Sequence, residues 1–146
     1  REIQSYVYAW NTGVPCKTEF QYDENGNCIR EDTYDEAGNL SYYIEDTYDT
    51  AGKNLTSNMY EADGTWSSRD EYEYDDQGRY SKITTYFLGG DSEYAIYQYE
   101  EGSDSFWIYE YDSAGNLQGY DYHEIDADGN STKVIFYDAD GNELEY

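Results

Sequence analysis

One aromatic position recurs along this chain at a fixed distance from a glycine. Tyrosine stands four residues before Gly at Tyr22, Tyr34, Tyr48, Tyr60, Tyr74, Tyr86, Tyr111 and Tyr137, and Ile125 takes the place once. An acidic residue follows at all of these but Tyr86: Asp at Asp23, Asp35, Asp49, Asp75, Asp112, Asp126 and Asp138, Glu at Glu61, then two variable residues and the glycine. Tyr72–Tyr80 is the cleanest copy. Asp in the first position of a type I turn accepts a hydrogen bond from the backbone two residues on. Glycine then supplies the positive φ that closes the turn with a one-residue bulge. This is a standard hairpin connection. It predicts that Asp75 pairs with Arg79, that Gly78 is the bulge, and that Tyr74 faces Tyr80.

Turn glycines fall at 13, 26, 38, 52, 64, 78, 90, 102, 115, 129 and 141, so the repeating unit is a pair of strands. The period is about 26 residues, as expected of a tandem hairpin array. About twelve strands, each of roughly 7–10 residues, follow in an antiparallel up-and-down meander. The turn at Asn11-Thr12-Gly13 lacks the Tyr-Asp pair. Irregular geometry is expected at Gly89-Gly90 and at Tyr99-Glu100-Glu101-Gly102.

Register places Cys28, Leu40, Trp66, Tyr80 and Leu117 across from the turn tyrosines. Even spacing then predicts that the tyrosines all return to one face of the sheet. The middle of that face carries Arg30, Asp32, Asp46, Asp70, Lys82, Asp121, His123 and Lys133. The opposite face gains Phe106, Ile108, Tyr120, Tyr122, Val134 and Phe136 late in the chain. Neither face reads as half of a sandwich. The expectation is a single-layer, twisted and coiled sheet forming one domain over 1–146, with a closed or rolled β-barrel as the alternative.

Composition changes this picture in one respect. A net charge of −25 with scarce aliphatic residues would by itself suggest disorder. The 21 tyrosines and 3 tryptophans argue the other way, since each aromatic ring buries roughly 150–250 Å². Acidity disfavours nucleic acid, whose phosphates require Lys and Arg, and keeps an aromatic sheet soluble. No run of 18 apolar residues marks a membrane span.

Tyr34-Asp35-Glu36-Ala37-Gly38-Asn39-Leu40, Tyr72-Glu73-Tyr74-Asp75-Asp76-Gln77-Gly78-Arg79 and Tyr111-Asp112-Ser113-Ala114-Gly115-Asn116-Leu117 resemble the YD repeats of Rhs-type proteins, from about Phe20 to the end. The resemblance implies a β-hairpin repeat and an exported bacterial protein, secreted or at the cell surface. Long members of the family form β shells around toxins and include segments described as carbohydrate-binding. On this reading the chain is too short for a shell, and no toxin domain is expected to follow.

Four sets of residues invite a functional reading. Cys16 and Cys28 would suit a disulfide, but the expected register pairs Cys28 with Tyr22 and Cys16 with Tyr34. The two would lie on the order of 20 Å apart at about 3.3 Å per residue, far beyond the roughly 7 Å between Cα atoms that a disulfide spans, so two unpaired thiols are expected. Asp126-Ala127-Asp128-Gly129-Asn130 and Asp138-Ala139-Asp140-Gly141-Asn142 look like calcium loops. Their glycine stands fourth rather than sixth, and turn chemistry accounts for them, so no metal site is expected. His123 beside Asp121 could serve acid–base chemistry, yet no nucleophile elbow, metal quartet or phosphate loop accompanies it. No catalytic residues and no cofactor are therefore expected, and the protein is read as no enzyme. Trp66, Tyr72, Tyr74, Trp107, Tyr109 and Tyr111 are the candidate binding residues, for a carbohydrate or a protein; the competing account makes these rings the core. The functional expectation is a non-enzymatic module for surface display or binding. A structural segment of a larger assembly and an acidic inhibitor or immunity-type protein are the alternatives.

Overall fold

A computed structural model describes residues 2–8 and 15–144, with side chains from Lys17 onward. The described chain is all-β. Its strands are β1 (Glu2–Tyr8), β2 (Pro15–Tyr22), β3 (Cys28–Tyr34), β4 (Leu40–Tyr48), β5 (Asn54–Glu61), β6 (Trp66–Tyr74), β7 (Tyr80–Phe87), β8 (Ser92–Tyr99), β9 (Phe106–Asp112), β10 (Leu117–Ile125), β11 (Ser131–Asp138) and β12 (Glu143–Leu144). The turn expected at Asn11-Thr12-Gly13 lies outside the described residues.

The chain divides into two compact units, Arg1–Glu71 and Tyr72–Tyr146. In the first, β1 to β6 pair antiparallel, each strand with the next. In the second, which begins within β6, β7 to β12 do the same. In each unit a strand touches only its neighbours in sequence, so there is one layer and no closure into a barrel.

The turns form as their residues dictate. In Asp35–Asn39 the backbone N–H of Asp35 donates to the Asn39 carbonyl at 2.8 Å, and that of Gly38 to the Asp35 carbonyl at 3.0 Å. The Asp35 carboxylate accepts from the N–H groups of Ala37 and Asn39 at 2.9 and 2.8 Å. The Asp75–Arg79 turn repeats this at 2.8 and 2.9 Å, with Gly78 at φ +83°. The Gly89-Gly90 turn keeps the backbone bond from Phe87 N–H to the Asp91 carbonyl at 2.9 Å, but both of its glycines have positive φ, +116° and +97°, the irregular geometry expected there. Glu100 instead bonds across to Ser105, one residue further.

The tyrosines do not share one face. Past most Tyr-Asp turns the register slips once more. Tyr22 pairs with Cys28, but Gln21 pairs with Arg30, leaving Ile29 extra. Ser41, Leu55, Ser67, Gln118 and Thr132 are bulged in the same way. Each such bulge moves the rest of the strand to the other side. Tyr34 therefore joins Glu19, to whose carboxylate its hydroxyl donates at 2.9 Å, on the face opposite Tyr22. Tyr60 stacks on Tyr43 at 4.9 Å, opposite Tyr48. The expectation of a common tyrosine face fails because a second, unmarked bulge follows the glycine.

The same slip places Lys17, not Cys16, across from Tyr34, with its ammonium 5.1 Å from the ring centre. Cys16 pairs in backbone register with Val7, and its thiol lies outside the described residues. Cys28 is a free thiol. It contacts the Arg30 carbonyl at 3.5 Å, and burial pushes its pKa up, which disfavours the reactive thiolate.

No hydrophobic side chain is fully buried among the described residues. Ring-on-ring and cation-on-ring contacts take the place of a core. In the first unit the Arg30 guanidinium lies 3.8 Å from the Tyr43 ring centre. It also donates to Asp32 at 3.0 and 2.8 Å and to Glu45 at 2.7 Å. Arg30, Asp32 and Glu45 thus partner one another, which lets them sit in mid-face, whereas Asp46 Oδ1 is buried without a hydrogen-bond partner.

Candidate functional site: two aromatic faces of the second unit

The alternation of β7 to β11 sorts the aromatics of the second unit onto its two faces. On one, Trp107 and Tyr109 of β9 lie beside Tyr120 and Tyr122 of β10 and Tyr137 of β11. Trp107 is 4.7 Å from Tyr122, 5.9 Å from Tyr120, 6.0 Å from Tyr137 and 6.3 Å from Tyr109, ring centre to ring centre. Tyr120 in turn stacks on Tyr137 at 4.9 Å and on Tyr109 at 5.5 Å. Tyr111 continues the strip by stacking on Tyr94 of β8 at 4.9 Å. Lys82 closes it, its ammonium 4.9 Å from the Tyr94 ring centre and 3.8 Å from Glu73. The rings are half-buried: each is flanked by its neighbours while part of it remains open to solvent. Burial raises the pKa of Tyr109, and the neighbouring Tyr120 and Tyr111 add to the shift.

The other face carries a second ladder. Tyr80 lies 5.6 Å from Tyr72 and 5.1 Å from Tyr74, then 6.0 Å from Tyr97. Phe106 follows, 6.0 Å from Tyr97 and 5.4 Å from Tyr99. His123 stacks on Phe106 at 4.7 Å and nearly parallel, 7°, while its Nε2 meets the carboxylate of buried Asp121. Arg79 caps this end, 3.8 Å over the Tyr99 ring. The sole histidine is thus held on both sides, by a ring and by a carboxylate.

The six residues singled out from sequence are therefore not one site. Trp107, Tyr109 and Tyr111 share the first face; Tyr72 and Tyr74 belong to the second; Trp66, in the first unit, pairs with Tyr60. Sequence reasoning missed Tyr94 and Tyr137 as partners and put Tyr120 and Tyr122 on the side away from Trp107. The extra residue Gln118 reverses that assignment, pairing Tyr120 with Tyr109 and Tyr122 with Trp107. Cross-strand counting through a doubly bulged hairpin would have found them.

The two loops like calcium sites are turns. Asp126 accepts from the N–H groups of Asp128 and Asn130, both at 2.9 Å, and Asp138 from those of Asp140 and Asn142 at 3.0 and 2.8 Å. Among the described residues no three or more His, Cys, Asp or Glu side chains converge as a metal site would require. Among the same residues no helix is long and apolar enough to cross a membrane. Neither a protein-family model nor a curated protein sequence matches the chain.

Proposed function

We propose that the chain is a non-enzymatic, exported bacterial repeat module that binds a glycan along the Trp107 face of its second unit. The contiguous strip Trp107, Tyr109, Tyr120, Tyr122 and Tyr137 carries this reading. Half-exposed aromatic faces suit the apolar faces of sugar rings, and their phenolic hydroxyls supply the few polar groups that fix orientation. The rings hold one another in place, so little side-chain freedom is lost on binding. Export and bacterial origin rest on the resemblance to YD repeats alone. Glycan-array screening followed by titration of Trp107 fluorescence tests the reading. A saturable change that Trp107→Ala abolishes supports it, and an array without hits overturns it.

A second reading, a structural segment of a larger assembly, is favoured by one observation. Among the described residues β12 pairs with β11 at Phe136 and Tyr137 alone, so the rest of β11 has no described neighbour on that side, an edge of the kind that recruits another strand. Sedimentation velocity at high concentration separates the two: self-association by strand addition supports the second reading, and a monomer removes it.

A further inference from the structure

We infer that the face of the second unit opposite Trp107 binds an extended peptide carrying Lys or Arg at alternate positions. A concavity of about 620 Å³ opens there. Its floor is Ile83, Ala95 and Tyr97, and its carboxylates include Glu93 and Glu110. The dent has a plain origin in the sequence. Ala95 pairs with Ile83 on one side and Glu110 on the other, and Glu110 pairs next with Gly119. Two of the smallest residues thus stand in this row, beside the Tyr97 ring of the next.

Charge complementarity selects the occupant. No Lys, Arg or His lines the concavity. Of the unit's cations, Lys82 pairs with Glu73, Arg79 with Asp75 and His123 with Asp121, and Lys133 stands on the Trp107 face, across from Glu124 in register. Asp112 is held in its turn by Ala114, Asn116 and Gln118, whereas Glu93 and Glu110 are exposed. Glu93 lies opposite Asp112, and Glu110 opposite Ala95, so the two glutamates are diagonal neighbours about 7–8 Å apart. Alternate residues of an extended peptide repeat at about 6.6 Å. Two basic side chains at that spacing reach both carboxylates and lay their methylene stems over Ala95 and Ile83.

The test uses the whole chain and a fluorescein-labelled hexapeptide of alternating arginine and valine, read by fluorescence anisotropy. Saturable binding that weakens with salt is expected, with no binding of the glutamate–valine counterpart. The double variant Glu93→Gln/Glu110→Gln should weaken binding about fivefold, and Ala95→Tyr should abolish it by filling the dent. Glu24→Gln/Glu36→Gln in the first unit removes the same net charge and should leave affinity unchanged. Equal weakening by both charge variants would show attraction to net charge alone and overturn the inference. Free arginine binding as tightly as the peptide, or an unaltered affinity in folded Ala95→Tyr, would overturn it too. Should Ala95→Tyr fail to fold by circular dichroism, the comparison of the two charge variants decides. Trp107 fluorescence with sugar, measured on the same protein, separates failure of this groove from failure of the glycan platform.

Discussion

The Tyr48 hydroxyl donates to the backbone carbonyl of Cys28, 2.7 Å away and one hairpin back. Burial and nearby negative charge, Asp46 first, push this phenol up to about 12 from an ordinary 10.0. A group whose pKa is raised on folding contributes stability below its unfolded pKa and loses it as pH rises through the folded one. The window is therefore pH 10 to about 12. Thermal melts between pH 9 and 12 should fall more steeply for the natural chain than for Tyr48→Phe. At neutral pH the variant should be less stable by roughly 1 kcal/mol, the usual worth of one hydrogen bond. Parallel pH curves would refute the assignment.

The turn aspartates predict the opposite limb. The backbone N–H of Asn39 holds the Asp35 carboxyl below its ordinary range, and the Asn116 side chain does the same for Asp112. Asp23, Asp49, Asp75, Asp126 and Asp138 are lowered likewise. A depressed carboxylate stabilises above its unfolded pKa, and that stability is lost as pH falls through the folded value. Urea unfolding followed downward from pH 5 should show the midpoint dropping below pH 3.8, the ordinary value. Asp35→Asn/Asp112→Asn should flatten that drop. Glu31, whose burial raises its carboxyl, works in the other direction.

Gly119 should be the least replaceable glycine of the second unit. A β-carbon there would stand 2.9 Å from the Tyr137 carbonyl oxygen, a backbone atom with little freedom to move. Gly119→Ala should cost about 1–3 kcal/mol by overpacking. Gly38→Ala meets no atom within 4 Å and bears only the strain of φ +82°, about 1 kcal/mol. Chemical denaturation of both variants gives the order. A milder effect at Gly119 would contradict the close packing of β10 on β11.

Trp107→Ala should destabilise the fold as well as remove sugar binding, by roughly 1–3 kcal/mol, since four rings lean on it. Trp107→Phe keeps a ring in place and should recover most of the stability. Denaturation midpoints of the two variants distinguish a supporting ring from one that only faces solvent.

Much of this architecture was legible in the residues because the turn is a local device. Asp35, Gly38 and Asn39 make their bonds to one another, so the hairpin connection needs nothing from elsewhere in the chain. The strand count and the pairs Tyr22–Cys28, Tyr34–Leu40 and Tyr111–Leu117 followed directly. The second bulge did not. Its positions hold Ile29, Ser41, Leu55, Ser67, Gln118 and Thr132, which share no size, polarity or backbone preference. Because each bulge inverts everything after it, one hidden residue per hairpin was enough to split the candidate aromatics between faces. Trp107 found its partners only once Gln118 was known to stand outside the ladder.

A sheet with no fully enclosed apolar side chain among its described residues also has an unusual thermal signature. Globular domains gain about 12–15 cal/mol/K per residue on unfolding, most of it from apolar surface newly wetted. Here much of that surface is wet already, so the heat-capacity increment per residue should fall below this range. The stability curve is then shallow, and the protein loses little of its folding free energy on cooling.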